Sequence, residues 1–161
     1  MSIILKKKNN KGFTLVEALV ALVILTTALG PILFSSDMAL NISNSIKNNL
    51  IAANLCQESL EVARAIRDNN WFQTKSFDNG LSDGTWRVEW NSDSLLPQGD
   101  IPLKINNGVY NYSLGTNTIF KRAITITKMN AGELKLVCEV LWKDRNRDKS
   151  VNAESHLFDW K

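Results

Sequence analysis

The sequence is poor in the residues that build most catalytic and metal centres. It has one histidine, His156, and two cysteines, Cys56 and Cys138, in 161 residues. One histidine provides neither a histidine-based metal cluster nor a serine–histidine–aspartate set. A cysteine–histidine pair is disfavoured because both cysteines are predicted to face the core, and no glycine-rich phosphate loop is present. The sequence therefore predicts no catalytic residue, no metal, no cofactor and no enzymatic activity.

Acidic residues are missing from the first twelve positions, where basic residues are concentrated. Four of the 19 lysines and arginines lie there, at Lys6, Lys7, Lys8 and Lys11. The rest of the chain holds 15 basic and 16 acidic residues, so the net charge of +3 comes from the N-terminus. Because the remainder has no excess of positive charge, we predict no nucleic-acid partner.

Charge is almost absent from residues 13–34, in which Glu17 is the only charged side chain. A helix of this length would extend about 33 Å, enough to cross a bilayer. By the positive-inside rule, the lysines keep the N-terminus in the cytoplasm and the chain after Phe34 is exported across the inner membrane. A carboxylate within a bilayer costs roughly 2.5–3.5 kcal/mol on insertion scales, so Glu17 needs a role and a partner.

Three interpretations compete for this apolar segment. A secretory signal peptide has a shorter apolar region, and its nearest cleavage site, residues 28–30 (ALG), would place Pro31 directly after the cut. A plain signal anchor fits the hydropathy but leaves Glu17 unexplained. The third interpretation starts from the stretch just before the apolar run.

Residues 11–17, KGFTLVE, resemble the N-terminal processing motif of type IV pilins and of type II secretion pseudopilins. The resemblance implies that residues 1–12 are a cleaved leader. A prepilin peptidase would cut between Gly12 and Phe13 and methylate the new amine of Phe13. It also implies that Glu17, then the fifth residue, neutralises the N-terminal amine of a neighbouring subunit during filament growth. Such a pair would set one register between adjacent helices, whereas snorkelling to the interface is the plainer alternative for Glu17.

Gly30-Pro31 is predicted to kink the apolar helix or melt one of its turns. Proline removes a backbone hydrogen bond and its ring clashes with the preceding turn. Two interpretations fit equally: a flexible point that helps the helix pack in a filament, and a harmless bend.

Residues 35–70 are predicted to continue the helix in amphipathic form, ending at residues 68–70 (DNN). Apolar side chains recur there every three or four positions, which predicts one buried stripe. Its members are Ile42, Ile46, Leu50, Ala53, Cys56, Leu60, Ala63 and Ile66.

Residues 71–161 are predicted to form a β-rich head, because the apolar period changes to two. Strands are expected at 86–90, 124–127 and 134–143, with a weaker one at 109–114, and residues 91–107 are expected to be an irregular loop. The apolar face of the sheet and the helix stripe must cover each other, which predicts an α+β, pilin-like fold with the helix packed on an antiparallel sheet. Most of the five tryptophans are expected to fill that core.

Two features of the head leave alternatives open. Cys56 and Cys138 fall on the faces that cover each other, so they could form a disulfide after export, or remain two buried thiols. Asp144, Asn146 and Asp148 have the spacing of a calcium loop, but Lys149 replaces its glycine, and a hairpin turn is the better interpretation.

The combined features resemble a minor pilin or pseudopilin. Residues 57–61, 64–71 and 142–150 are also similar to V-type minor pilins and I-type pseudopilins. The resemblance implies four partners: the prepilin peptidase, other pilin subunits, an inner-membrane assembly platform and, before assembly, membrane lipid. The alternative is a monomeric, single-pass, signal-anchored envelope domain that binds a ligand or protein.

Overall fold

A computed structural model describes residues 12–160, which form one long helix followed by eight strands. Helix α1 spans Leu15–Phe72. The strands are β1 Gly84–Arg87, β2 Leu96–Pro97, β3 Lys104–Asn106, β4 Val109–Asn111, β5 Thr116–Asn117, β6 Lys121–Asn130, β7 Glu133–Asp144 and β8 Arg147–Phe158. Contacts divide the chain into two compact units, 1–44 and 45–161. The fold is α+β, with a long N-terminal helix packed against antiparallel strands, as predicted.

The main sheet has the order β2-β1-β6-β7-β8 and is antiparallel throughout. The predicted strands at 124–127 and 134–143 are confirmed within β6 and β7. The tight loop between β7 and β8 is Arg145-Asn146, both with positive φ, so the predicted hairpin turn is confirmed. This combination of φ values is that of the type I′ turn, whose twist matches two antiparallel strands.

The strands were predicted less well where apolar and polar residues do not alternate clearly. A second sheet of order β4-β3-β5 occupies part of the stretch expected to be a loop, and β2 lies there too. The predicted strand at 86–90 is wrong at its C-terminal end, since β1 ends at Arg87 and Trp90 is 56% exposed. Strands of two or three residues contain too few side chains for alternation to reveal them.

Helix α1 packs on the main sheet only over its C-terminal part. Its buried residues are Ala52, Leu55, Cys56, Ser59, Val62, Ala63, Ile66 and Asn70. The predicted stripe is therefore confirmed at Cys56, Ala63 and Ile66, and wrong at four positions that are exposed: Ile42, Ile46, Leu50 and Ala53. Apolar residues spaced by three or four positions can be grouped into more than one stripe along a helix. Only packing against the sheet decides which stripe is buried.

A buried arginine ties α1 to the sheet. Arg122 lies on the inward face of β6, 3% exposed, between the strands and the helix. Its Nη1 donates to the Leu55 carbonyl at 3.0 Å and to Glu58 Oε1 at 2.8 Å, and its Nη2 donates to the Val88 carbonyl. The guanidinium therefore donates to a helix carbonyl, a helix carboxylate and a loop carbonyl, while its Nε has no hydrogen-bond partner among the described residues.

Gly30 and Pro31 do not interrupt α1. The segment is helical without a break from residue 15 to residue 72, with Pro31 inside it, so the predicted melted turn is not present. Proline lacks an N–H and so leaves the Thr27 carbonyl without its usual donor four residues on. A bend at this point stays a prediction.

The helix ends later than predicted, at Phe72, because a C-terminal motif beyond residues 68–70 terminates it. Lys75 N–H donates to the Asn70 carbonyl at 2.9 Å, and Thr74 N–H donates to the Trp71 carbonyl at 3.1 Å. Thr74 has φ +56°. These bonds and this φ are those of a Schellman motif with threonine at the position that usually holds glycine.

We expect Thr74→Gly to stabilise the protein by about 0.5–1 kcal/mol. A β-branched residue in the left-handed region is strained by roughly 1–2 kcal/mol, and glycine removes that strain at some cost in unfolded-state entropy. Denaturant unfolding of the full chain in detergent, followed by tryptophan fluorescence, measures the change. Gln73→Gly is the matched control, because Gln73 has no positive φ and its replacement should destabilise; equal effects at both positions would contradict the assignment.

Candidate functional site

The predicted processing site lies just ahead of the first helical turn. Residues 12–14 are non-helical, and Phe13 is 72% exposed. The Thr14 carbonyl accepts the Ala18 N–H at 3.1 Å, and Thr14 Oγ1 accepts the Glu17 N–H at 3.2 Å. Thr14 is thus the N-cap of α1. The Gly12–Phe13 peptide bond therefore precedes the helix and is not protected by helical hydrogen bonds.

Thr14 and Glu17 have the spacing of a capping box, which the sequence analysis missed. Threonine at the N-cap with glutamate three residues on is a known helix-start signature and could have been read from residues 14–17. Glu17 also lies in the first turn, where the positive end of the helix dipole favours a carboxylate. The structure consequently offers a local role for Glu17 in addition to the predicted role in assembly.

Gly12 is not required by the fold of this chain. Its φ is not in the left-handed region, and no described atom lies within 4 Å of where a Cβ would stand. Neither the backbone conformation nor the described surroundings explain why glycine occupies this position. Close approach of another molecule to the backbone is one such reason.

The apolar segment that follows is not covered by the described part of the chain. An 18-residue window near the N-terminus of α1 has a mean hydropathy of 2.2, and none of it is buried. Large side chains such as Leu15, Leu22 and Ile32 are more than half exposed. By length and composition this part of α1 can cross a membrane, which is consistent with membrane anchoring.

Cys56 and Cys138 meet in the core of the head. Both are fully buried free thiols in one apolar cluster. The neighbouring Cys56 thiol and then burial raise the pKa of the Cys138 thiol. The predicted proximity is therefore present, while the disulfide itself stays a prediction.

His156 lies on the outward face of the sheet between two carboxylates. Its Nδ1 is 2.8 Å from Glu133 Oε1 and its Nε2 is 3.2 Å from Glu154 Oε1, while Lys135 Nζ lies 2.9 Å from Glu154 Oε2. The hydrogen bonds to Glu133 and then Glu154 raise the pKa of His156, and the bond from Lys135 lowers the pKa of Glu154. Within residues 12–160 no group of three His, Cys, Asp or Glu side chains is placed to hold a metal ion.

We expect Glu133→Gln to lower the pKa of His156, because the first of its two carboxylate partners becomes neutral. Since the folded-state pKa is raised, the protonated His156 stabilises the fold fully below its unfolded pKa of about 6.5, and this contribution disappears as the pH rises through the folded pKa. An NMR titration of the single imidazole measures the shift. Glu61→Gln, which removes a carboxylate that pairs with Arg64, should leave the titration unchanged; an unshifted titration in Glu133→Gln would contradict the assignment.

Comparison with known proteins identifies the N-terminal segment. A family model for the prokaryotic N-terminal methylation motif matches residues 7–33. This motif is typical of the prepilin leader of type IV pilins and pseudopilins, and the resemblance found in KGFTLVE is thereby confirmed. Of the matched part, residues 7–11 lie outside the described residues, as do Lys6, Lys7, Lys8 and Lys11 of the leader. Neither the curated proteins nor the solved structures gave a significant match to this chain.

Proposed function

We propose that this chain is a minor pilin or pseudopilin, cut by prepilin peptidase after Gly12 and assembled into a type IV pilus or type II secretion pseudopilus. The methylation motif at residues 7–33, which overlaps an apolar helix that the described residues do not cover, is the observation that carries the proposal. The motif makes the chain a prepilin-like substrate. Its assembly and its place in a filament are the proposed part.

The local structure at the cut supports processing after Gly12. A peptidase must bind its substrate in an extended form, and residues 12–14 are already outside the helix. The helix begins immediately afterwards, with Thr14 as its cap. Gly12 leaves the backbone open to an enzyme, and nothing described in the chain itself demands glycine there.

The exposed apolar side chains of the helix support a proposal in which two apolar environments cover it in succession. Exposed leucine, valine and isoleucine side chains are unfavourable in water by roughly 1.5–3 kcal/mol each. Membrane lipid would cover residues 13–34 first, with the lysines on the cytoplasmic side and the head outside. The helices of other subunits would cover it after an inner-membrane assembly platform draws the chain from the bilayer. Transfer between two apolar environments avoids the cost of exposure to water.

Glu17 would then act twice at different stages. As residue N3 of α1 it belongs to the helix start in a single chain. In a filament its carboxylate would pair with the methylated Phe13 amine of a neighbouring subunit. Because an unpaired charge among apolar helices is strongly disfavoured, the pair would select one axial register.

We expect Gly12→Val to block leader removal and leave membrane insertion unchanged. A branched side chain would obstruct the approach of the peptidase to the scissile bond, whereas the fold has space for it. Intact mass of the protein extracted from membranes distinguishes the precursor from a chain that begins at methylated Phe13.

Gly30→Ala is the matched control for this experiment. Gly30 has equally open surroundings but lies inside the apolar helix, so its replacement should leave cleavage normal. A wild-type protein that retains its lysines, or that begins after Gly30, would refute the pilin proposal and favour the monomeric signal-anchored domain.

We expect Glu17→Gln to permit insertion and leader removal but to reduce incorporation into filaments about tenfold or more. Glutamine keeps the capping-box geometry at N3 and removes only the charge. The amine of the neighbouring subunit would remain unpaired in an apolar bundle, at a cost of several kcal/mol. Quantitative mass spectrometry of sheared filaments, normalised to the membrane fraction, gives the ratio.

Thr14→Val separates capping from charge. It removes the hydroxyl that accepts the Glu17 N–H but retains the carboxylate, so incorporation should stay close to that of the wild type. Normal incorporation of Glu17→Gln, or an equal loss in both variants, would exclude the assembly role of the charge.

A further inference from the structure

Cys56 of α1 and Cys138 of β7 lie in the same buried cluster. Cys138 of β7 is paired with Ala153 of β8. Cys56 Sγ donates to the Val151 carbonyl of β8 at 3.6 Å, and Val151 and Ala153 pack against the buried cluster that holds both cysteines. Cys56 of α1 therefore lies in the same part of the core as Cys138, and the effect of each thiol on the pKa of the other supports their proximity.

The position of Cys138 against α1 is set from several sides. Its side chain lies in the same buried cluster as Cys56, and Ser59, one turn further along the helix, lowers the pKa of its thiol. The Arg122 contact to the Leu55 carbonyl holds the same turn of α1 against the sheet. The bond from Arg122 thus helps to fix this turn of α1 against the sheet without involving either sulfur atom.

We propose that Cys56 and Cys138 are a modification site, oxidised to a disulfide that joins α1 to β7 as the head folds outside the cytoplasm. The proposal rests on the proposed function, because it requires that the head be exported. Each thiol loses its S–H proton and one electron, and an S–S bond forms. The two electrons pass, by thiol–disulfide exchange, to an oxidised dithiol carrier, whose disulfide is reduced to two thiols.

Burial determines when this exchange can occur. Both cysteines are 0% exposed in the folded head, and exchange needs access to the attacking thiolate. Oxidation therefore has to precede the final docking of α1 on the sheet. Once docked, the disulfide would resist reductants unless the head is unfolded.

The bond would give the helix a covalent attachment to the sheet. It would close a loop from residue 56 to residue 138, which contains most of the head. A loop of that length strongly restricts the unfolded chain. A pull on the apolar part of α1 could then not separate the buried turns of the helix from the sheet.

The test uses the full processed chain, extracted from membranes in detergent and denatured with an alkylating maleimide. We expect no alkylation without reductant and two additions after reduction, on a chain that begins at methylated Phe13. Alkylation of both cysteines without reductant on that same chain would overturn the disulfide and leave the proposed function intact. If neither cysteine is alkylated without reductant on a chain that keeps its leader, the result would support the disulfide and refute prepilin processing.

The melting temperatures of the two single cysteine variants and of the double variant test the disulfide without alkylation. Cys56→Ala, Cys138→Ala and the double variant should all lose the same stability, with the melting temperature lowered by about 10 °C, because any one change removes the whole bond. Additive losses from the two single changes would mean two separate thiols and would overturn the proposal. When the wild type is reduced under denaturing conditions and refolded with reductant, its melting temperature should fall to that of the variants.

Discussion

The constraint on which the rest of the structure depends is that residues 13–34 present an apolar surface that residues 12–160 leave uncovered. None of the most apolar window of α1 is covered by the described residues. Burial of apolar surface is the dominant favourable term in folding and association, so this surface requires lipid or other helices. The N-terminal methylation motif, which matches residues 7–33, coincides with this surface, and the two observations lead to the same proposed function.

The C-terminal part of α1 is held against the main sheet by both apolar and polar contacts. Burial of α1 starts at Ala52, after which the inward side chains of β6 and β7 cover it. Arg122 adds directed bonds to Leu55 and Glu58 at the start of this contact. Apolar packing supplies most of the stabilisation there, and the guanidinium selects one axial position. The proposed Cys56–Cys138 bond would act at the same turn.

Some elements of the fold were predictable from the sequence and others were not. Strand β7 was predictable because the alternating residues 134–143 define one buried face, whereas β6 was predicted only over its central residues 124–127. The end of α1 was misplaced because its terminator is Thr74, a residue that rarely takes positive φ and therefore gives no signal. The charge of Glu17 predicts a partner for it, and the spacing of Thr14 and Glu17 is also that of a capping box, which residues 14–17 suffice to predict.

The sequence by itself determined the features that act through local chemistry or through bulk hydropathy. These are the N-terminal methylation motif at residues 7–33, the apolar length of residues 13–34 and the alternation in β7, and each can be read from neighbouring residues. Only the tertiary structure decided which line of α1 is buried, that Ile42 and Ile46 stay exposed, and that Arg122 is an interior residue. The physical reason is that helical periodicity allows several faces, and a face is chosen only by contacts with residues far away in the chain.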